Sequence, residues 1–177
     1  IDAAASSAAV RLASAIVLTS PVGFLFAGAV MTDPLHLLMV ALAMACATCV
    51  QRAADAASER RWRLGFWALL GASAMAKGLA SVVLIVLPLV FYAVLSGQPR
   101  RVYRSFVSRG GVLVAALVAL PWFAVAEWAH PGFLRYFILG EHFQRFLEPG
   151  WTGDRYGRAH DQALGMIWLF AAASAGP

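Results

Sequence analysis

Between Arg63 and Gly97 the chain runs through more than 30 mostly apolar residues that carry a single charge, Lys77, which is also the only lysine in the sequence. As one helix rising 1.5 Å per residue, such a run would extend roughly 50 Å, far beyond a bilayer core of about 30 Å. Both of its ends are basic, "ERRWR" before it and "QPRRVYRSFVSR" after it. The positive-inside rule puts both ends in the cytoplasm. The chain therefore turns back near Lys77-Gly78, forming a helical hairpin whose tip carries the lysine on the non-cytoplasmic side.

The rest of the chain has the same character: 61% of its residues are hydrophobic and only 13% are charged, against about 25% charged in soluble domains. With 177 residues there is room for roughly six spanning helices and no second, soluble domain. The apolar segments predict spans at 9–30, 34–50, 62–76, 79–95, 110–126 and 163–177, the last one truncated, with an external loop at 127–162. Period-two alternation is absent, so these are helices rather than barrel strands. The expected fold is an all-α, polytopic transmembrane helix bundle forming one domain over residues 1–177. Lacking an initial Met and stopping inside an apolar run, the sequence reads as a fragment of a longer protein.

Basic residues cluster at the ends of apolar runs instead of interleaving with aromatics, so the net charge of +5 reports topology and not nucleic-acid binding. The loops assigned to the cytoplasm hold Arg52, Arg60, Arg61, Arg63, Arg100, Arg101, Arg104 and Arg109 against Asp55 and Glu59. On the opposite side the charges nearly balance. Arg11 fits neither side cleanly. Cys46 and Cys49, in "CATC", lie within an apolar span without metal partners and read as packing residues.

Three separate stretches are expected to meet outside the cytoplasm: "VMTDPLH" around Asp33, "AMAKGLA" around Lys77, and the long aromatic-rich loop. Within that loop, "PGFLRYFILGEHFQRFLEPG" reads as an amphipathic helix lying in the membrane interface. At 100° per residue Phe133, Tyr136, Leu139, Phe143, Phe146 and Leu147 share one face, and Arg135, Glu141, His142 and Arg145 gather on the other. Glu141 and Arg145 also stand at i,i+4, a spacing that alone accounts for both.

Lys77 has two readings: an anion-binding group, or a lysine that snorkels from a helix end. Asp33, ahead of Pro34, is placed to cap a helix, and a cap at that end also faces any cavity there. His36 lies one turn later and reads as structural, not as a metal ligand. Neither HExxH, GxSxG nor a phosphate-cradling glycine loop is present, which disfavours a soluble-type hydrolase or ATPase.

"MTDP" at a helix mouth, "AKG" at a hairpin tip and "EHFQRFLEPGWTGDRYGRAH" in an external loop resemble the bacterial relatives of the protein O-mannosyltransferases and the lipid A aminoarabinose transferase. These are membrane glycosyltransferases of the C-type fold that use polyprenyl-phosphate-linked sugars. The resemblance implies that Asp33 is an auxiliary acidic residue of the cavity and that Lys77 meets the donor phosphate. It further implies that Glu141, His142 and Arg145, together with Arg158 and His160 further along the loop, bind substrate or brace the same cavity. Departures from the family pattern are Ala76 and Leu79 around the Lys-Gly pair, and Ala163 after "HDQ".

The family's main catalytic carboxylate lies in an earlier loop, so the fragment alone is expected to be inactive. The implied partners are a polyprenyl-phosphate sugar donor, membrane lipids and an acceptor the motifs do not specify. Neither cofactor nor metal is implied, and the setting is a bacterial inner membrane with the site facing the periplasm. The rival readings are a transporter or flippase for lipid-linked or anionic substrates, whose binding groups would sit near the midplane, and a structural membrane subunit that uses the aromatic loop to dock a partner.

Overall fold

The computed structural model describes residues 3–21, 32–148, 151–153, 166, 168, 169 and 172. Every regular element among them is helical: α1 (Ala3–Thr19), α2 (Asp33–Arg52), α3 (Ala56–Lys77), α4 (Leu79–Leu95), α5 (Pro99–Phe106), α6 (Arg109–Ala129), α7 (Phe133–Arg135), a π-helix (Tyr136–Gln144) and α8 (Arg145–Leu147). The protein is an all-α helix bundle of the transmembrane kind. Helices α2 and α6 are long and apolar enough to cross a bilayer, while α4 and residues 7–19 of α1 are shorter apolar helices.

The chain forms two compact units, residues 1–34 with 160–177, and residues 35–159. In the first, α1 turns Val10, Leu12, Ile16, Val17 and Leu18 outward, as a helix does when its surroundings are lipid rather than water. Its terminal hydroxyls fold back on the helix, Thr19 Oγ1 donating to the Ala15 carbonyl at 2.8 Å and Ser20 Oγ to that of Val17 at 2.9 Å.

In the second unit, local chemistry sets the helix ends. Asp55 has extended backbone angles and accepts from the Ser58 amide at 2.8 Å, so α3 starts at Ala56 rather than at the expected Trp62. Ser108 caps α6 in the same way through the Gly111 amide at 3.0 Å. Pro99 occupies the first turn of α5, where its missing N–H costs nothing. This short helix was not foreseen as an element of its own, because its arginines interrupt the apolar pattern.

The core gathers Ala43, Cys46, Ala47 and Val50 of α2, Phe66 and Leu70 of α3, Ile85 and Ala93 of α4, and Val102 and Phe106 of α5. Small residues let the backbones approach closely, the usual device where lipid supplies no hydrophobic drive. At Gly71 of α3 an added Cβ would stand 2.6 Å from the Ala115 carbonyl oxygen of α6. The free thiol of Cys46 packs beside Gly65 in a comparable contact between α2 and α3. Trp67 closes the other end of the α3–α6 pair: its ring covers Gly111, and its Nε1 donates to the Phe106 carbonyl at 2.8 Å. Phe106 and Phe66 rings meet at 4.9 Å.

Candidate functional site

The turn expected at Lys77-Gly78 joins α3 to α4. Gly78 has φ 57° and ψ −130°, a region that side-chain-bearing residues avoid. Its amide closes α3 on the Ala74 carbonyl at 2.8 Å. Lys77 is the last residue of α3 and half-buried, and α4 starts at Leu79 directly after it. The positive end of the α4 dipole therefore lies at the tip beside the lysine.

Beneath the tip sits a buried polar cluster. Ser81 Oγ donates to the Ser73 carbonyl at 2.7 Å and stands 3.0 Å from His36 Nε2. With its one proton committed to Ser73, the hydroxyl accepts from His36, which fixes the protonated Nε2 tautomer of that ring. Both serines are wholly buried and His36 nearly so. His36 thereby ties the first turn of α2 to the hairpin, the structural role its place at a helix start suggested. Asp33 opens that helix three residues earlier, in the first unit.

A second element reaches the tip from the far side. Glu127, at the end of α6, accepts the amides of Gly132 at 2.9 Å and Leu134 at 2.7 Å, capping the next helical run with one carboxylate. Phe133 and Phe137 of that run stack at 5.5 Å and lie against Trp122 and Phe123 of α6 at 5.5 and 5.6 Å. These ring contacts anchor the helix along α6.

From Tyr136 to Gln144 the helix is π rather than α, so the 100° wheel fails there and residues five apart become neighbours. Tyr136, assigned by that wheel to the apolar face, instead donates its hydroxyl to Glu141 Oε1. The other carboxylate oxygen accepts from Arg145 Nη1 at 2.8 Å. Phe137 and His142 form the second such pair, His142 Nδ1 lying 2.6 Å from the Phe137 carbonyl. Leu139, Phe143 and Leu147 of the expected apolar face are exposed, and so is Ile138. Trp151 stacks on Tyr136 at 6.3 Å and covers Gly140.

His142 is the link between the two elements. Its Nε2 lies 3.0 Å from the Leu79 amide nitrogen and 3.1 Å from the Lys77 carbonyl oxygen. A neutral ring protonated on Nδ1 satisfies both neighbours, donating to Phe137 and accepting from Leu79. The opposite tautomer would face two acceptors at 2.6 Å and leave the Leu79 amide without its acceptor. Of the anticipated site residues, then, Lys77 and His142 meet through the backbone of the turn, and Glu141 and Arg145 pair beside them on the π-centred run. Arg158 and His160 lie outside the described residues. Tyr136, Ser81 and Glu127 were missed; only i,i+5 spacing between a tyrosine and a glutamate could have flagged the first.

The family model of the dolichyl-phosphate-mannose-protein mannosyltransferases matches residues 2–137, ending just before Glu141, His142 and Arg145. The chain is also similar to undecaprenyl phosphate-alpha-4-amino-4-deoxy-L-arabinose arabinosyl transferase 1 of Pseudomonas fluorescens, with 36% identity over 82% of this chain and 24% of that protein. The corresponding transferases of Edwardsiella ictaluri, 34% identical over 66% of this chain and 21% of the relative, and of Proteus mirabilis, 31% identical over 64% and 20%, are similar as well. The chain thus spans about a quarter or less of the length of these relatives. No solved structure matches it.

Proposed function

The chain belongs to the dolichyl-phosphate-mannose-protein mannosyltransferase family, and from that premise we propose that it forms the donor-phosphate side of a membrane glycosyltransferase acting outside the cytoplasm. The donor is a sugar linked to a polyprenyl phosphate, the class to which the undecaprenyl phosphate-linked aminoarabinose in the names of its relatives belongs. Mannosyl and aminoarabinosyl transfer share that leaving group, and the proposal stops at the chemistry they share.

The observation that carries the reading is the clamp between the Lys77-Gly78 turn and the helix bearing Glu141, His142 and Arg145. In the reaction the acceptor's nucleophile attacks the anomeric carbon, the bond from that carbon to the phosphate oxygen breaks, and its electron pair leaves on the polyprenyl phosphate. The gathering negative charge needs fixed positive charge nearby. Lys77 supplies a compact ammonium beside the positive end of α4, and Arg145 a planar guanidinium steered by Glu141. His142 positions both elements through the turn's backbone. Lipid and protein exclude water from such a site, which strengthens each charge interaction.

The acceptor's proton goes to a carboxylate. We assign that task to a residue outside this chain, with Asp33 as the auxiliary acidic group and Arg158 and His160 as further substrate contacts, each by the resemblance alone. On this reading the chain by itself does not turn over. The direct test supplies the full-length protein, in bilayers, with labelled polyprenyl-phosphate sugars. Label transferred to an acceptor, with release of the polyprenyl phosphate, supports the proposal. Movement of intact donor across the bilayer without transfer replaces it with a transporter.

A further inference from the structure

A full helix length from the hairpin tip, the first turn of α3 and the short helix α5 border an open concavity of about 520 Å³ lined by Glu59, Arg100, Arg101, Arg104 and Ser105. The donor chemistry uses none of these residues. Helix α5 is amphipathic at close range: Val102 and Phe106, four residues apart, are buried against the bundle, while Arg100, Arg101 and Arg104 are exposed. Two apolar helices flank it in sequence, α4 ending at Leu95 and α6 beginning at Arg109, so α5 is held at a membrane surface.

The concavity has braced walls. Arg63 Nη1 binds Glu59 Oε1 at 3.0 Å and the Ser105 carbonyl at 3.3 Å, tying the start of α3 to the end of α5. That contact also engages the one carboxylate of the lining, so the net field is set by the three arginines. Arg101 leans on Gln98 Oε1 at 3.2 Å, which orients its guanidinium without cancelling its charge. Arg60 and Arg61 of α3 and Arg109 at the start of α6 are exposed and add positive charge to these helix ends, and Asp55, the other acidic group of these turns, accepts from the Ser58 amide.

We propose that this concavity binds the phosphate headgroup of an anionic phospholipid. Guanidinium groups match phosphate oxygens in forked pairs, and basic pockets between spanning helices are a recurrent way to hold such headgroups. Apolar surface suited to the acyl chains flanks the site in sequence: Val90, Phe91, Val94 and Leu95 at the end of α4, and Val112 and Leu113 at the start of α6, all face outward. Tyr103 is 65% exposed and Trp62 43% exposed, aromatic groups of the kind that settle at headgroup depth.

The test measures lipid binding to the full-length protein by native mass spectrometry, titrating phosphatidylglycerol against phosphatidylcholine. The wild-type protein should retain phosphatidylglycerol with at least tenfold tighter dissociation constant than phosphatidylcholine. Joint replacement of Arg100→Gln, Arg101→Gln and Arg104→Gln should remove at least tenfold of that affinity, whereas Arg60→Gln with Arg61→Gln, exposed positions outside the lining, should change it less than threefold. No preference in the wild-type protein overturns the proposal without any variant. So does a smaller loss in the triple variant, or an equal loss in the Arg60–Arg61 double variant, which would reduce the effect to diffuse surface charge.

Discussion

His142 Nε2 stands 3.0 Å from the Leu79 amide nitrogen, across 63 positions of sequence, and holds the π-centred helix against the first residue of α4. The same ring reaches back to the Phe137 carbonyl through Nδ1. One side chain thus fastens the hairpin turn from above, while His36 and Ser81 fasten it from below. The two ties leave Lys77 little freedom of backbone position, and the proposed contact with a departing phosphate calls for charge preorganised in this way.

Replacing His142 by Ala removes the acceptor for the Leu79 amide and the donor to Phe137. The expected loss is about 1–3 kcal/mol, the cost of stranding a partly buried polar group. Thermal unfolding of the full-length protein in detergent should show the lowered midpoint, and limited proteolysis should cut more readily near Gly78. An unchanged midpoint would mean that other contacts carry the turn.

Gly78 and Gly97 both have positive φ, at 57° and 65°, but their surroundings differ. A Cβ at Gly78 would fall 2.5 Å from His142 Nε2 and 2.9 Å from Phe137 Cε1, whereas one at Gly97 meets nothing within 4 Å. Gly97→Ala should therefore cost about 1–2 kcal/mol of backbone strain alone. Gly78→Ala adds displacement of the His142 ring and should lower the unfolding midpoint further. Equal losses would remove His142 from the account of the turn.

At the α3–α6 contact, Gly71→Ala places a methyl against the Ala115 backbone, which cannot swing aside. An expected cost of about 1–3 kcal/mol follows from overpacking. Gly110→Ala serves as the comparison, since its Cβ would lie 3.9 Å from Ser108 Oγ, an ordinary contact, and should be well tolerated. Unfolding midpoints of the two variants should separate clearly.

The Tyr136–Glu141–Arg145 chain predicts graded kinetics. Tyr136→Phe removes one neutral donor and should lower donor kcat/KM by roughly fivefold, about 1 kcal/mol. Glu141→Gln deprives Arg145 of its charged partner and should cost more, on the order of tenfold or above. The reverse order would show that Tyr136, not Arg145, is the group that Glu141 positions.

The hairpin is legible in the sequence, because an apolar run too long for one crossing and basic at both ends must turn back on itself. The helix start at Asp33-Pro34 was visible in the same physical terms, whereas the Ser108 cap was not singled out. Nor was the π-helix. Nothing in "YFILGEHFQ" separates a 3.6-residue turn from a wider one, and the 100° wheel put Tyr136 on the wrong side. Helix α5 escaped notice because its three arginines look like a loop until Val102 and Phe106 are seen to be buried. His142 was foreseen as a substrate contact, and its hold on the turn depends on a partner 63 residues away that no local pattern reveals.

Binding of a polyprenyl phosphate to the full-length protein, compared among wild type, Lys77→Ala and Lys77→Arg, bears most directly on the assignment of the donor phosphate. Loss of a charge-assisted contact predicts that Lys77→Ala weakens binding roughly 10- to 150-fold, about 1.5–3 kcal/mol, with Lys77→Arg recovering part of it. Wild-type affinity in Lys77→Ala, with wild-type sugar transfer, would contradict it.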